Sequence, residues 1–267
     1  MNPLKQRLQS GGVITAAWAS LGSPDVAEIM VRHGWDVLVI DGEHGIGGLE
    51  CWVAIARAVQ AAGGQVILRV PDGHDTTLKK VLDRGFDALI VPMVNSVAQA
   101  QAILDSCRYP GRGKRGYCAP VIRGSGWGTQ AGYARGGASD DLLLILQCEH
   151  VDAVGALPQI AALDGVDMLF LGPHDLAGSV DHIERLDQPV VQDLIARVEA
   201  QARAVDIPLA TILGAGRDWG DLARLGYRLI VGKSDVALLS GAARDAQAAR
   251  DAALAASTGS GAGGSGG

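Results

Sequence analysis

Leu142-Leu143-Leu144-Ile145-Leu146 runs without a break into Gln147-Cys148-Glu149-His150. Five consecutive apolar side chains leave no face for water, as in a parallel strand covered on both sides. A polar group follows at once, so glutamine and glutamate stand at the C-terminal end of a buried strand. The pattern recurs along the chain, at Val13–Trp18, Asp36–Ile40, Gln65–Val70, Ala88–Met93, Met168–Leu171, Pro208–Leu213 and Arg228–Val231. Between the runs lie segments of helical spacing. Pro24–His33 follows Ser23, a suitable N-cap with proline in the first turn. Leu49–Ala62 ends at Gly63-Gly64, Thr76–Arg84 at Gly85, and Ser96–Cys107 before Tyr109-Pro110. Val190–Val205 and Asp218–Leu225 supply later helices.

Eight strands alternating with helices, without a strong linker, predict one α/β domain, a (β/α)8 TIM barrel over residues 1–256. The competing doubly wound sheet would want G-x-G-x-x-G after its first strand, and Leu21-Gly22-Ser23-Pro24 does not supply it. From Ser257 to Gly267 the composition is that of a Gly/Ser linker, with little to bury, and this tail is expected to be disordered. Gly111–Gly137 is long and rich in Gly and Arg for a connection. It reads as a functional loop over a site or at a subunit contact.

Composition narrows the function. The 267 residues are 48% hydrophobic and carry a formal net charge of −6, with no basic run, which argues against a nucleic-acid partner. Aromatic content of 4% offers no base-stacking platform. No apolar stretch approaches a bilayer span, and the N-terminus lacks the features of a signal peptide, so no membrane partner is expected. Cys51, Cys107, Cys118 and Cys148 follow no metal-finger spacing and read as fillers in a reducing cytoplasm.

In a barrel the chemistry sits at the C-terminal strand ends. There the sequence places Asp41-Gly42-Glu43-His44, Arg69, Gln147-Cys148-Glu149, Gly172-Pro173-His174-Asp175 and Lys233-Ser234-Asp235. Glu149 and Asp175 come from neighbouring strands, and two carboxylates without thiols suit a hard cation such as Mg²⁺ or Mn²⁺. Each acid alone could equally cap a helix or pair with an arginine. Arg69 projects into the mouth, either to hold a carboxylate or oxyanion or to pair with Asp41 or Glu43. His44 has the residue type of a general base, although a lone strand-end histidine is more often a satisfied polar group. The turn from Gly172 through His174 to Asp175 opens a short helix whose N–H groups could take a small anion, or is an ordinary strand-to-helix turn. Trp18, Leu213 and the 111–137 loop are candidate walls for a second substrate.

Asp41-Gly42-Glu43-His44, Val91-Pro92-Met93-Val94, Arg108-Tyr109-Pro110 with Arg115-Gly116, Gln147-x-Glu149, and Gly165-Val166-Asp167 leading to Gly172-Pro173-x-Asp175-Leu176 follow one another in this order. Together they resemble the metal-dependent class II pyruvate aldolases of the 4-hydroxy-2-oxoheptanedioate and 2-dehydro-3-deoxyglucarate aldolase type, from about Leu4 to about Ala252. The resemblance implies a barrel, hexameric, with the last helix exchanged between subunits. It implies Mg²⁺, Mn²⁺ or Co²⁺ on Glu149 and Asp175. A 2-oxo acid would lie against Gln147 and the backbone at 174–175, with Arg69 at the enolate oxygen, His44 transferring protons and Asp83 raising its basicity. Two departures stand out. Position 174, usually small, is His174, and Asp83 lies late in its helix, far from the rim, so it is expected to reach His44 across a subunit contact. The rivals are a Schiff-base aldolase using Lys233, a metal-dependent lyase of acyl-coenzyme A thioesters, and a non-catalytic 2-oxo acid binding protein.

Overall fold

A computed structural model describes residues 2–135, 137–214 and 216–259. Eight strands close into a parallel barrel in sequence order. They are β1 (Ile14–Ala19), β2 (Val37–Asp41), β3 (Gln65–Arg69), β4 (Ala88–Val91), β5 (Leu143–Cys148), β6 (Met168–Leu171), β7 (Leu209–Ile212) and β8 (Tyr227–Ser234). The helices are α1 (Pro3–Gln9), α2 (Pro24–Arg32), α3 (Leu49–Ala61), α4 (Asp75–Asp83), α5 (Val97–Cys107), α6 (Val151–Ala161), α7 (Pro173–Gly178), α8 (Pro189–Ala204), α9 (Trp219–Arg224) and α10 (Asp235–Gly259).

Two apolar layers hold the barrel. The outer one joins strands to helices, with Leu38, Ile40, Leu68, Leu89 and Leu146 packed against helical residues such as Ile55, Leu78 and Leu157. The inner one fills the axis with the alternate strand residues, among them Val39, Ile67, Ile145 and Phe170. Leu4 and Leu8 of α1 join this inner layer. α1 is capped by Asn2, whose side-chain oxygen accepts the N–H groups of Leu4 and Lys5, and it closes the lower end of the barrel.

Three differences from the sequence expectation have physical causes. α6 carries Pro158 in its interior; the missing N–H obscured a helix that Ala153, Val154, Leu157 and Ile160 bury firmly. α10 runs on to Gly259, three residues into the segment expected to be without structure, while 260–267 lie outside the described residues. The 111–137 loop joins α5 to β5, and a helix-to-strand connection lies at the N-terminal end of the barrel. Within one chain it therefore does not cover the strand-end rim, and it walls no pocket there. It packs instead beside Asn2, Leu82 and Asp87 around a cavity of about 390 Å³. Among the described residues no helix is long and apolar enough to cross a membrane.

Candidate active site

Side chains along a strand alternate, so the inward positions continue past the inner layer toward the C-terminal rim. One step beyond Val39, Ile67, Ile145 and Phe170 stand Asp41, Arg69, Gln147 and Gly172. Strand pairing sets Asp41 beside Arg69 and Gln147 beside Phe170. The polar rim is thus a direct product of period-2 alternation in a closed parallel sheet.

Arg69 is its best-held member. Its Nε donates to Asp41 Oδ1 at 3.0 Å, Nη2 lies 2.9 Å from the same oxygen, and Nη1 lies 3.2 Å from Glu43 Oε2. The guanidinium carbon sits 4.4 Å from the Trp18 ring centroid. Both pairings considered from sequence are formed together. Among the described residues they engage at most three of five N–H donors, which leaves two for a guest. Asp41 Oδ1 also accepts the backbone N–H groups of Glu43 and His44, at 3.2 and 3.1 Å. Burial pushes the Glu43 carboxyl above its ordinary range, against the pull of Arg69. His44 reaches Glu43 Oε2 at 3.8 Å, and its side chain is 69% exposed.

Across the mouth, Glu149 is 2% exposed. Met93 N–H donates to its Oε1 at 2.8 Å, and the Gln147 amide donates to its Oε2. Met93 itself takes a left-handed conformation, φ 55°. Burial is the main reason the Glu149 carboxyl is pushed up to about 7; the charges of Asp175 and Glu43 add to it. Asp175 is exposed in the first turn of α7 beside His174. Among the described residues its carboxylate has neither a hydrogen bond nor an ion pair. Gly172 completes the wall: a Cβ there would lie 2.6 Å from Glu149 Oε2 and 2.8 Å from its Cβ.

Two carboxylates that influence one another and lack a cationic partner suit a divalent ion. Gln147 Oε1, buried and without a partner, adds a neutral acceptor beside them. Among the described residues no group of three or more His, Cys, Asp or Glu is arranged as a cage.

The remaining candidates fall elsewhere. Asp83 pairs with Arg115 at 2.8 Å, at the far end of α4. It makes no bond with His44 among the described residues. Leu213 packs on the outer layer, whereas Ile212 joins Trp18 on the inner one. Lys233 is exposed, whereas a Schiff-base lysine sits in a dry pocket. The sequence did not single out Met93 N–H as a clamp on Glu149.

A family profile described as HpcH/HpaI aldolase/citrate lyase matches residues 15–242. The chain belongs to that family. A 4-hydroxy-2-oxovalerate aldolase from Novosphingobium aromaticivorans is 41% identical over 226 residues, covering 84% of this chain and 81% of the relative. A hydroxypyruvate/pyruvate aldolase from Agrobacterium fabrum is 39% identical over 194 residues, 73% of each. The crystal structure of an HpcH/HpaI aldolase/citrate lyase family protein from Burkholderia cenocepacia superposes with a TM-score of 0.87 at 31% identity, covering 94% of this chain and all of that one. Membership in the HpcH/HpaI family makes the chain an enzyme of the aldehyde-lyase class, and the barrel expected from sequence is the barrel of the family.

Proposed function

We propose that this HpcH/HpaI family member catalyses reversible aldol addition and cleavage between a pyruvate-like 2-oxo acid (pyruvate or hydroxypyruvate) and an aldehyde. The observation that carries this reading is the pair of Glu149 and Asp175, without a counter-charge, opposite an arginine with free donors. The names of the relatives, aldolases of hydroxypyruvate, pyruvate and 4-hydroxy-2-oxovalerate, support it.

Glu149 and Asp175 would hold a Mg²⁺, Mn²⁺ or Co²⁺ ion. When bound, such a cation supplies Lewis-acid polarisation of the ketone oxygen, worth several kcal/mol. Gln147 and the backbone at 172–175 orient the 2-oxo acid against the rim. Arg69, fixed beforehand by Asp41, Glu43 and Trp18, sets positive charge where the enolate oxygen develops, so it needs no reorganisation during the reaction. His44 stands at the open edge of the rim, with room to carry the proton lost from the donor methyl and returned on cleavage. Trp18 and Ile212 give the aldehyde an apolar wall.

Asp83 acts on His44 of a neighbouring copy in this reading, because its own chain holds it at the other end of the barrel. An assembly of six copies is proposed with it. The exposed apolar residues Val236 and Leu239 on α10, 42% and 59% accessible, support exchange of that helix between neighbours. Four free cysteines support a reducing, cytoplasmic setting.

The test is pyruvate release from 4-hydroxy-2-oxo acids, with addition of pyruvate and hydroxypyruvate to an aldehyde panel. Activity should vanish in EDTA and return with Mn²⁺, Mg²⁺ or Co²⁺. Activity that survives chelation, with borohydride trapping a lysine adduct, would sink the metal reading.

A further inference from the structure

Lys233-Ser234-Asp235 spans the junction of β8 and α10, and none of the steps above uses it. Asp235 is 4% exposed and has no cationic partner among the described residues. Its carboxylate accepts backbone N–H groups: Ser20 at 3.0 Å and Val236 at 2.8 Å on Oδ1, and Leu21 at 2.9 Å on Oδ2, with Ser20 also 3.1 Å from Oδ2. Ser234 caps the same helix start, accepting from Ala237 N–H at 3.1 Å. The buried acid is therefore spent on another segment, the turn after β1.

That turn is stitched to the next. Ser20 carbonyl accepts Ile46 N–H at 2.8 Å, and Cys51 Sγ donates to the Gly22 carbonyl at 3.1 Å. Gly22 and Gly45 allow close contact: a Cβ on Gly22 would lie 2.7 Å from Ile46 O, and one on Gly45 would press on Asp41 O and Ser20 O. Segment 43–46 thus lies flush on segment 20–22. It carries Glu43, which touches Arg69, and His44. On the inner side of the same turn, Trp18 pairs with Ser234 after a register shift in the β1–β8 ladder.

We propose that Asp235 is a positioning residue, which sets the height of the 43–46 segment, and hence the His44 imidazole, through Ser20. An isosteric amide would break the arrangement without opening a cavity. Asparagine accepts on one oxygen only, and its NH₂ would meet a backbone N–H that is itself a donor. The 2-oxo acid side of the mouth is built from β5 and β6, across the barrel from this relay. The proposal rests on the aldolase reading, with His44 as proton carrier.

The experiment is a double-mutant cycle of Asp235→Asn and His44→Ala in the metal-loaded protein. kcat and KM for 2-oxo acid cleavage are measured, and the imidazole NMR signals recorded. Asp235→Asn should lower kcat about 10- to 100-fold, the scale of a mispositioned group. KM should change less than about threefold. In the His44→Ala background the same substitution should lower kcat less than about twofold. The signals of His44, identified by their loss in His44→Ala, should shift while those of His33 and His182 stay. Equal losses in both backgrounds, or no loss in the first, overturn the proposal. Where the His44→Ala background is too slow to compare, unmoved His44 signals overturn it. An inactive parent protein overturns the aldolase reading instead, and the NMR arm still decides whether Asp235 places His44.

Discussion

The guanidinium of Arg69 lies over the indole of Trp18, 4.4 Å from ring centroid to Cζ, while Asp41 grips its edge. One side of the cation is covered by a π-face and the edge is pinned, so its remaining donors have a fixed aim. Arg69→Ala should reduce kcat about 10²- to 10³-fold, the range seen when a preorganised oxyanion donor is lost. Mn²⁺ affinity, read by electron paramagnetic resonance, should change little. Arg69→Lys should recover only a small part, because an ammonium cannot span Asp41 and Glu43 as the fork does. Equal losses in turnover and Mn²⁺ binding place Arg69 in the structure instead of the reaction.

Glu149 gives a pH dependence with a definite sign. Its carboxyl is pushed up to about 7 from an ordinary 4.5. Between those values the folded chain holds a proton that the unfolded chain has released, so stability is lost as pH rises. In EDTA, urea unfolding of the native chain should weaken from pH 5 to pH 7, on the order of 1–3 kcal/mol. Glu149→Gln should flatten that slope, and parallel slopes would contradict it. Mn²⁺ should restore the native chain at pH 7 and leave Glu149→Gln unchanged.

Gly172 is a place where one methyl group matters. Its Cβ would strike Glu149 Oε2 at 2.6 Å, with the Gln147 Nε2 at 3.3 Å. Gly172→Ala should displace the carboxylate, weaken Mn²⁺ binding about 10- to 100-fold and lower stability by about 1–3 kcal/mol. Calorimetric titration with Mn²⁺ and thermal melting measure the two effects; unchanged affinity refutes the prediction.

Glu199, buried in α8, pairs with Arg217 and accepts the Tyr227 hydroxyl at 2.8 Å. Glu199→Ala strands a partly buried guanidinium and a buried phenol. A loss of about 2–3 kcal/mol is expected, or roughly 5–10 °C in Tm. Calorimetry of the pair Glu199→Ala and Glu199→Gln tests it, with Gln retaining an acceptor and losing less.

Asp83 and His44 can be separated by mixing subunits. Each of Asp83→Ala and His44→Ala should be poorly active alone. Under the proposed assembly, co-refolding the two chains should create sites in which an intact His44 faces an intact Asp83 of the neighbour, and activity should rise well above either. No recovery on mixing excludes action across the subunit contact.

Much of this architecture could be read from residue order. Seven strands fall within two residues of the apolar runs, because a strand buried on both faces declares itself by composition alone, while β8 runs three residues past Val231 to Ser234. Arg69, Gln147 and Glu149 were legible for the same reason: a polar group directly after such a run has only the rim to occupy. Of the two readings of the 111–137 loop, over a site or at a subunit contact, the first does not hold within one chain, because a connection from a helix to a strand lies at the other end of the barrel. α6 was hidden by Pro158, whose cost is outweighed by four buried apolar side chains. The hold of Met93 N–H on Glu149 is a backbone contact between residues 56 apart, and no residue type announces it. The Arg115 partner of Asp83 lies 32 residues away in the sequence and comes beside it only through the fold.

α1, with Leu4 and Leu8 set into the base of the inner layer, has a consequence for traffic. A barrel stoppered below and packed along its axis leaves, among the described residues, the upper rim as its doorway. Under the proposed reaction, donor and acceptor must share it, and the donor lies deeper, against Gln147 and Glu149. The 2-oxo acid must therefore be first to arrive and last to depart. That order can be read in initial-rate kinetics, where excess aldehyde should trap the enzyme before its donor has reached it.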